Sequence, residues 1–226
     1  LMNPLPWPGG ARCALMLTFD FDAETNWITP ERLSMQRPGR LSQGTYGARV
    51  GVPRILDLLR EQELPATFFV PGWVAEHRTG PVEAIQASGA EIAHHGYLHK
   101  WIAPDDPAGE EEELMLGLEA LDRAIGIRPK GYRSPAGETS PNLVALLARE
   151  GFQYDSSMMD DVNPYRPRLP GIERPPVELP WHWSLDDAPY MLFGIKSQRP
   201  ILPNEHVLSI WCAEFDAIRE WGGLIN

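Results

Sequence analysis

Basic residues are scarce. The chain has 20 Lys and Arg against 31 Asp and Glu, a formal net charge of −11. That balance argues against a nucleic-acid partner, which needs clustered cations along a phosphate backbone. It argues equally against docking on an anionic membrane. No apolar run approaches the ~20 residues of a spanning helix. Residues 1–8 have neither the basic region nor the apolar core of a signal peptide, so a cytoplasmic location is expected. Two cysteines, Cys13 and Cys212, are too few for a disulfide framework, and two buried free thiols are expected. No segment repeats, and no Gly-rich nucleotide turn follows the first apolar stretch.

What is present suits one soluble globular domain over 1–226, with 43% hydrophobic and 23% charged residues. Residues 12–19 are nearly continuously apolar and predict a strand buried on both faces, ending in Asp20-Phe21-Asp22. Residues 23–48 show no period and predict a lid, a binding loop or an interface element. Ile55, Leu56, Leu58 and Leu59 predict an amphipathic helix over 52–63. Strands are predicted at 66–70, 91–93, 130–133, 152–155 and 177–179. Helices are predicted at 81–88, from Asp106-Pro107 to Ile125, at 140–150 and within 202–221. The acids Glu110 to Glu113 fit a solvated first turn. Alternating strands and helices predict an α/β fold with a parallel sheet, and an incomplete β/α barrel fits better than an open sheet.

Polar residues fall repeatedly at predicted strand C-terminal ends, where β/α barrels carry their chemistry. These are Asp20, Asp22, the cluster His94-His95-Gly96-Tyr97-Leu98-His99, Arg133 and Asp155. His95 and His99 are four apart, which on one helical turn puts both imidazoles on one face. Alone, the pair could equally be surface histidines. With Asp20 and Asp22 the set becomes two imidazoles and two carboxylates. One carboxylate can join the imidazoles on a divalent transition metal while the other takes a proton from water. Arg133 could hold that second carboxylate ionised.

At this point the chain resembles the polysaccharide deacetylase family, the NodB-homology domain. The motifs are Thr18-Phe19-Asp20-Phe21-Asp22, His95-Gly96-Tyr97-Leu98-His99, Arg133-Ser134-Pro135-Ala136-Gly137 and Gly151-Phe152-Gln153-Tyr154-Asp155, in the family's order. The resemblance implies a distorted (β/α)7-type barrel with Asp22, His95 and His99 as metal ligands. It implies Asp20 as catalytic base, Arg133 as its orienting partner and Asp155 in the supporting polar network. The metal implied is a divalent ion, zinc first, with cobalt, manganese or ferrous iron as alternatives. His94 fills a non-ligand position, and His77 and His206 match no motif. Gly96 stands where the family has Ser or Thr, removing a hydroxyl that would steady the loop. The family's fifth motif, a His on the last strand, has no counterpart. Leu224-Ile225-Asn226 resemble the start of that strand, so a C-terminally incomplete domain is expected, with a barrel that lacks its last strand as the alternative.

Trp181-His182-Trp183, followed by Asp187, can be packed indoles beside a capped turn or the wall of a substrate pocket. The stretch resembles one in the branch holding Helicobacter-type peptidoglycan deacetylase-like proteins, cyclic imidases and allantoinase-like enzymes, often homotetramers. The branch implies a hydrolase of non-peptide C–N bonds acting on a small amide, a cyclic imide or a sugar amide.

Overall fold

The computed structural model describes residues 5–30, 35–193 and 200–226. In chain order the elements are β1 (Ala14–Leu15), β2 (Thr18–Asp20), α1 (Thr25–Ile28), α2 (Pro38–Tyr46), α3 (Val52–Glu61), β3 (Thr67–Val70), α4 (Gly72–His77), α5 (Thr79–Ala87), β4 (Glu91–His94), α6 (Pro107–Ile125), β5 (Gly131–Tyr132), α7 (Leu143–Arg149), β6 (Tyr154–Asp155), β7 (Val177–Glu178), α8 (Ala188–Met191), α9 (Asn204–Trp221) and β8 (Leu224–Ile225). The chain divides into two compact units. No helix of the described residues is long and apolar enough to cross a membrane.

The larger unit comprises Leu17–Ser157 and Arg166–Glu178. Its six strands, β2 to β7, are all parallel and lie side by side in chain order, the arrangement of a distorted β/α barrel. Parallel strands need crossovers; helices supply them from β2 through β6, and a non-helical segment joins β6 to β7. β3 is buried at every residue, as Thr-Phe-Phe-Val with no alternation requires. Phe68, Val70 and Ile92 pack with Val82, Ile85 and Leu121 from the helices. A second cluster joins Leu114, Leu118, Tyr132, Leu146, Leu147 and Phe152. Each such side chain contributes about 1.5–3 kcal/mol on burial. α6 starts where Asp106 Oδ1 accepts the Gly109 amide and ends at Gly126 in the left-handed conformation, as the sequence signals predict.

Two glycines let helices close on the end of β4. A Cβ on Gly117 of α6 would lie 2.3 Å from His94 Nε2. A Cβ on Gly72 of α4 would lie 2.8 Å from the Gly117 Cα. α4 and α6 therefore pack backbone to backbone beneath the segment that follows β4.

The smaller unit comprises Leu1–Met16, Met158–Tyr165 and Leu179–Asn226. In it β1 pairs parallel with β8. The Trp7 indole donates to Gly222 O at 2.7 Å, and the Leu224 amide donates to Val162 O at 2.7 Å.

Several expectations need correction. Residues 12–19 are not one strand buried on both faces. They form β1 and β2 in different sheets, and Leu15 is 52% exposed, because the chain changes partner from β8 to β3. Much of 23–48 is helical, with 31–34 outside the described residues. α1 is fixed by polar contacts to Asp22 and α2 starts at Pro38, so neither leaves an apolar period. Cys212 is exposed and Cys13 only half-buried; both are free. The acid run is not a simple solvated turn. Glu110 is buried, with the amide and hydroxyl of Ser140 donating to its two oxygens, and Glu113 reaches the segment after β4.

Candidate metal and catalytic site

Parallel strands in register bring their C-terminal ends to one edge. Asp20 ends β2, with Asp22 two residues on. His95 follows β4, Arg133 follows β5 and Asp155 ends β6. His99 is four residues beyond His95 but not on a helical turn. Gly96 (φ +72°) and His99 (φ +57°) both take left-handed backbone, so a tight loop rather than a helix makes the pair converge. The positive φ of Ala23 beside Asp22, and of His99 itself, costs about 1–2 kcal/mol each. Such conformations persist where the surrounding structure over-determines them.

Ligand atoms of Asp22, His95 and His99 all lie within 4.8 Å of one another. His95 Nε2 is 3.5 Å from Asp22 Oδ1 and 3.6 Å from Asp20 Oδ2, and His99 Nε2 is 3.5 Å from Asp22 Oδ2. His95 Nδ1 meets Arg133 O at 2.7 Å. That contact assigns the ring proton to Nδ1 and leaves the Nε2 lone pair facing the carboxylates. His95 Nε2 is buried with no hydrogen-bond partner among the described residues. A buried polar atom without a partner needs an explanation. Two imidazoles and a carboxylate converging on one point fit a divalent transition metal. Asp22 is braced for that role, accepting from the Asn26 amide at Oδ2 (2.7 Å).

Electrostatics keep the imidazoles neutral. Burial pushes His95 below its usual range, and burial pushes His99 down to about 4. Neutral imidazole is the form that ligates. Burial works to raise the Asp20 carboxyl, but the charge and hydrogen bond of Arg133 outweigh it, and the carboxyl lies below its usual range. Arg133 Nη1 donates to Asp20 Oδ1 at 2.8 Å. Its other nitrogens donate to Ser156 O, Ser156 Oγ and Thr18 Oγ1, and its guanidinium lies 4.1 Å from the Phe69 ring centroid.

Asp155 is joined to the segment that carries Arg133 through Ser157. Its Oδ1 accepts from Ser157 Oγ at 2.5 Å, and Ser157 Oγ accepts the Ser134 amide at 2.9 Å. Burial and the adjacent Glu178 raise the Asp155 carboxyl well above its usual range. Glu178 was not foreseen from the sequence; an acid in strand register with Asp155 is the only signal that could have found it. Asn26 and Glu113 were missed too, since nothing local marks a side chain that reaches a distant loop.

Trp181, His182, Trp183 and Asp187 belong to the smaller unit. Trp181 is buried and meets Trp183 edge-on at 4.6 Å. Trp181 and His182 line a cavity of about 370 Å³ with Met159, Leu185, Glu214 and Ile218, whereas Trp183 and Asp187 do not. His94 is buried, stacked on Tyr132 and bonded to Leu114 O, a packed residue outside the ligand set. His77 and His206 are exposed helix residues.

Asp, His and Arg gathered at the strand C-terminal ends of a parallel α/β sheet form a site suited to hydrolysis, and comparison with known proteins gives the class, hydrolases acting on carbon–nitrogen bonds other than peptide bonds. The family model described as polysaccharide deacetylase matches residues 44–154. The peptidoglycan deacetylase of Helicobacter pylori is 31% identical over 87% of this chain and 75% of its own length. This chain belongs to the polysaccharide deacetylase family. A solved structure from Mycobacterium smegmatis, described as a polysaccharide deacetylase, is 39% identical with a TM-score of 0.94 over 99% of this chain and 78% of that one. The structure of Puue allantoinase is 25% identical with a TM-score of 0.80 over 100% of this chain and 80% of that one.

Proposed function

We propose that the chain hydrolyses the amide bond of a small amide or cyclic imide, with Asp22, His95 and His99 holding a divalent metal and Asp20 acting as base. The observation that carries this is the convergence of Asp22, His95 and His99 beside an Asp20 clamped by Arg133. The donors suit zinc first, with cobalt, manganese and ferrous iron as alternatives. Bound there, the ion would supply Lewis acidity, polarising the scissile carbonyl and making water acidic enough to attack near neutral pH.

The protein's own residues do the rest. Asp20 Oδ1 is committed to Arg133, so Oδ2 takes the proton from the attacking water. The same carboxyl can pass that proton to the departing nitrogen. Arg133 keeps Asp20 ionised and fixes its orientation. Asp155 touches no reacting atom; through Ser157 it holds the Ser134 amide next to Arg133.

Likeness to Puue allantoinase over the whole chain supports a small cyclic amide as substrate. A second reading, removal of acetyl groups from N-acetylglucosamine polymers or peptidoglycan, is favoured by the Helicobacter pylori relative. Zinc-loaded protein should be assayed on cyclic imides, allantoin and N-acetylglucosamine oligomers. Turnover of an imide or allantoin is expected, with His95→Ala abolishing both turnover and bound zinc. Acetate release from the oligomers alone would establish the second reading. Zinc binding without turnover of any of them would leave a non-catalytic metal protein.

A further inference from the structure

The loop between the two histidines is fastened at every backbone polar group. The Gly96 amide donates to His94 Nδ1 at 3.1 Å. The amides of Tyr97 and Leu98 both donate to one atom, Glu113 Oε2, at 3.0 and 2.9 Å. The carbonyls are held as well. Gly72 N donates to Gly96 O at 2.9 Å, Trp73 N donates to Tyr97 O at 3.0 Å, and the Thr29 hydroxyl donates to Leu98 O. A segment with left-handed residues at Gly96 and His99 can form no repeating ladder of its own, so its polar groups need these outside partners.

Among these partners Glu113 is the only carboxylate, and it takes two successive amides. Hydrogen bonds to an ionised acceptor are about twice as strong as neutral ones. Glu113 comes from α6, the helix that Gly117 allows against His94. Its Oε2 lies 3.4 Å from where a Cβ on Gly96 would sit, so the carboxylate fills the space beside the loop that Gly96 leaves open. The neighbouring Glu112 is exposed, and Glu110 is spent on Ser140.

We propose that Glu113 is the positioning residue of the metal loop. By clamping the Tyr97 and Leu98 amides it fixes the separation and direction of His95 and His99. The role rests on the metal-ligand set assigned under Proposed function.

The test uses zinc as probe and needs no substrate. Zinc dissociation constants are measured by chelator competition for the parent chain, Glu113→Ala, Glu113→Gln and the exposed control Glu112→Gln. Hydrogen exchange is followed at the Tyr97 and Leu98 amides. Glu113→Ala should weaken zinc ~10- to 100-fold, the range for a residue that orients metal ligands. Glu113→Gln, which keeps an amide oxygen as acceptor, should weaken it less, and Glu112→Gln should match the parent. The two loop amides should exchange faster in Glu113→Ala while the amides of β3 keep their protection. Zinc held as tightly by Glu113→Ala as by the parent would overturn the proposal. So would faster exchange throughout the unit, which would mark a general structural role. A parent chain that binds no zinc would sink the metal-hydrolase reading itself, and Glu113's role with it.

Discussion

One sheet holds two sets of acids in opposite conditions. Asp20 at the end of β2 faces Arg133 and two imidazoles, and its carboxyl lies below the usual range. Asp155 at the end of β6 faces another acid, Glu178, directly across in β7, and its carboxyl lies well above that range. Both sit at strand C-terminal ends. Residue type therefore does not decide the role; the nearest charge does. A cation makes the first a base ready for a proton. A neighbouring anion and burial make the second a proton-holding strut, with Ser157 bridging Asp155 and Glu178.

Removing the carboxylate from each acid gives the largest contrast. Asp20→Asn should lower kcat/KM by about 10²- to 10⁴-fold, the usual worth of a positioned base. Asp155→Asn keeps a side-chain oxygen for the Ser157 hydroxyl and should fall far less. Equal losses in the two variants would erase the distinction. Next comes the cation. Arg133→Met leaves the Asp20 carboxyl without its counter-charge, so the acidic limb of the kcat/KM profile should move to higher pH. It also removes the donors to buried Ser156 and should destabilise the fold by roughly 1–3 kcal/mol, the cost of leaving buried acceptors unpaired. An acidic limb unmoved in a folded variant would mean that Arg133 does not tune Asp20.

The contrast also explains what could be read in advance. α6 was legible nearly to the residue, because Asp106, Pro107 and Gly126 are local signals with local causes. His95, His99, Asp20, Asp22 and Arg133 were legible as residue types at strand ends, and the structure brings them together. The geometry was not legible. The spacing of His95 and His99 suits a helical turn, yet the segment is a left-handed loop held from outside by Glu113. Residues 12–19 read as one apolar run because partner choice, not composition, divides them between β1 and β8 on one side and β2 and β3 on the other. Glu178 was invisible because its meaning comes from a cross-strand neighbour 23 positions earlier. Long-range pairing sets these features, and periodicity carries no trace of it.

The smallest expected effect tests the second acid set alone. The Asp155 carboxyl is raised in the folded chain by burial and by Glu178, whereas in the unfolded chain it titrates near its ordinary 3.8. Between those two values the folded state binds more protons than the unfolded one. Stability is therefore fully present at low pH and declines as pH rises, by about 1.4 kcal/mol per pH unit for one proton. Glu178→Gln removes the opposing charge and keeps an amide oxygen for the Ser157 amide. Asp155 should then ionise at lower pH, so the decline measured by denaturant unfolding upward from about pH 4 should end at a lower pH than in the parent. A decline ending at the same pH in the two proteins would mean that Glu178 does not hold the proton on Asp155, and the two acid sets would differ by Arg133 alone.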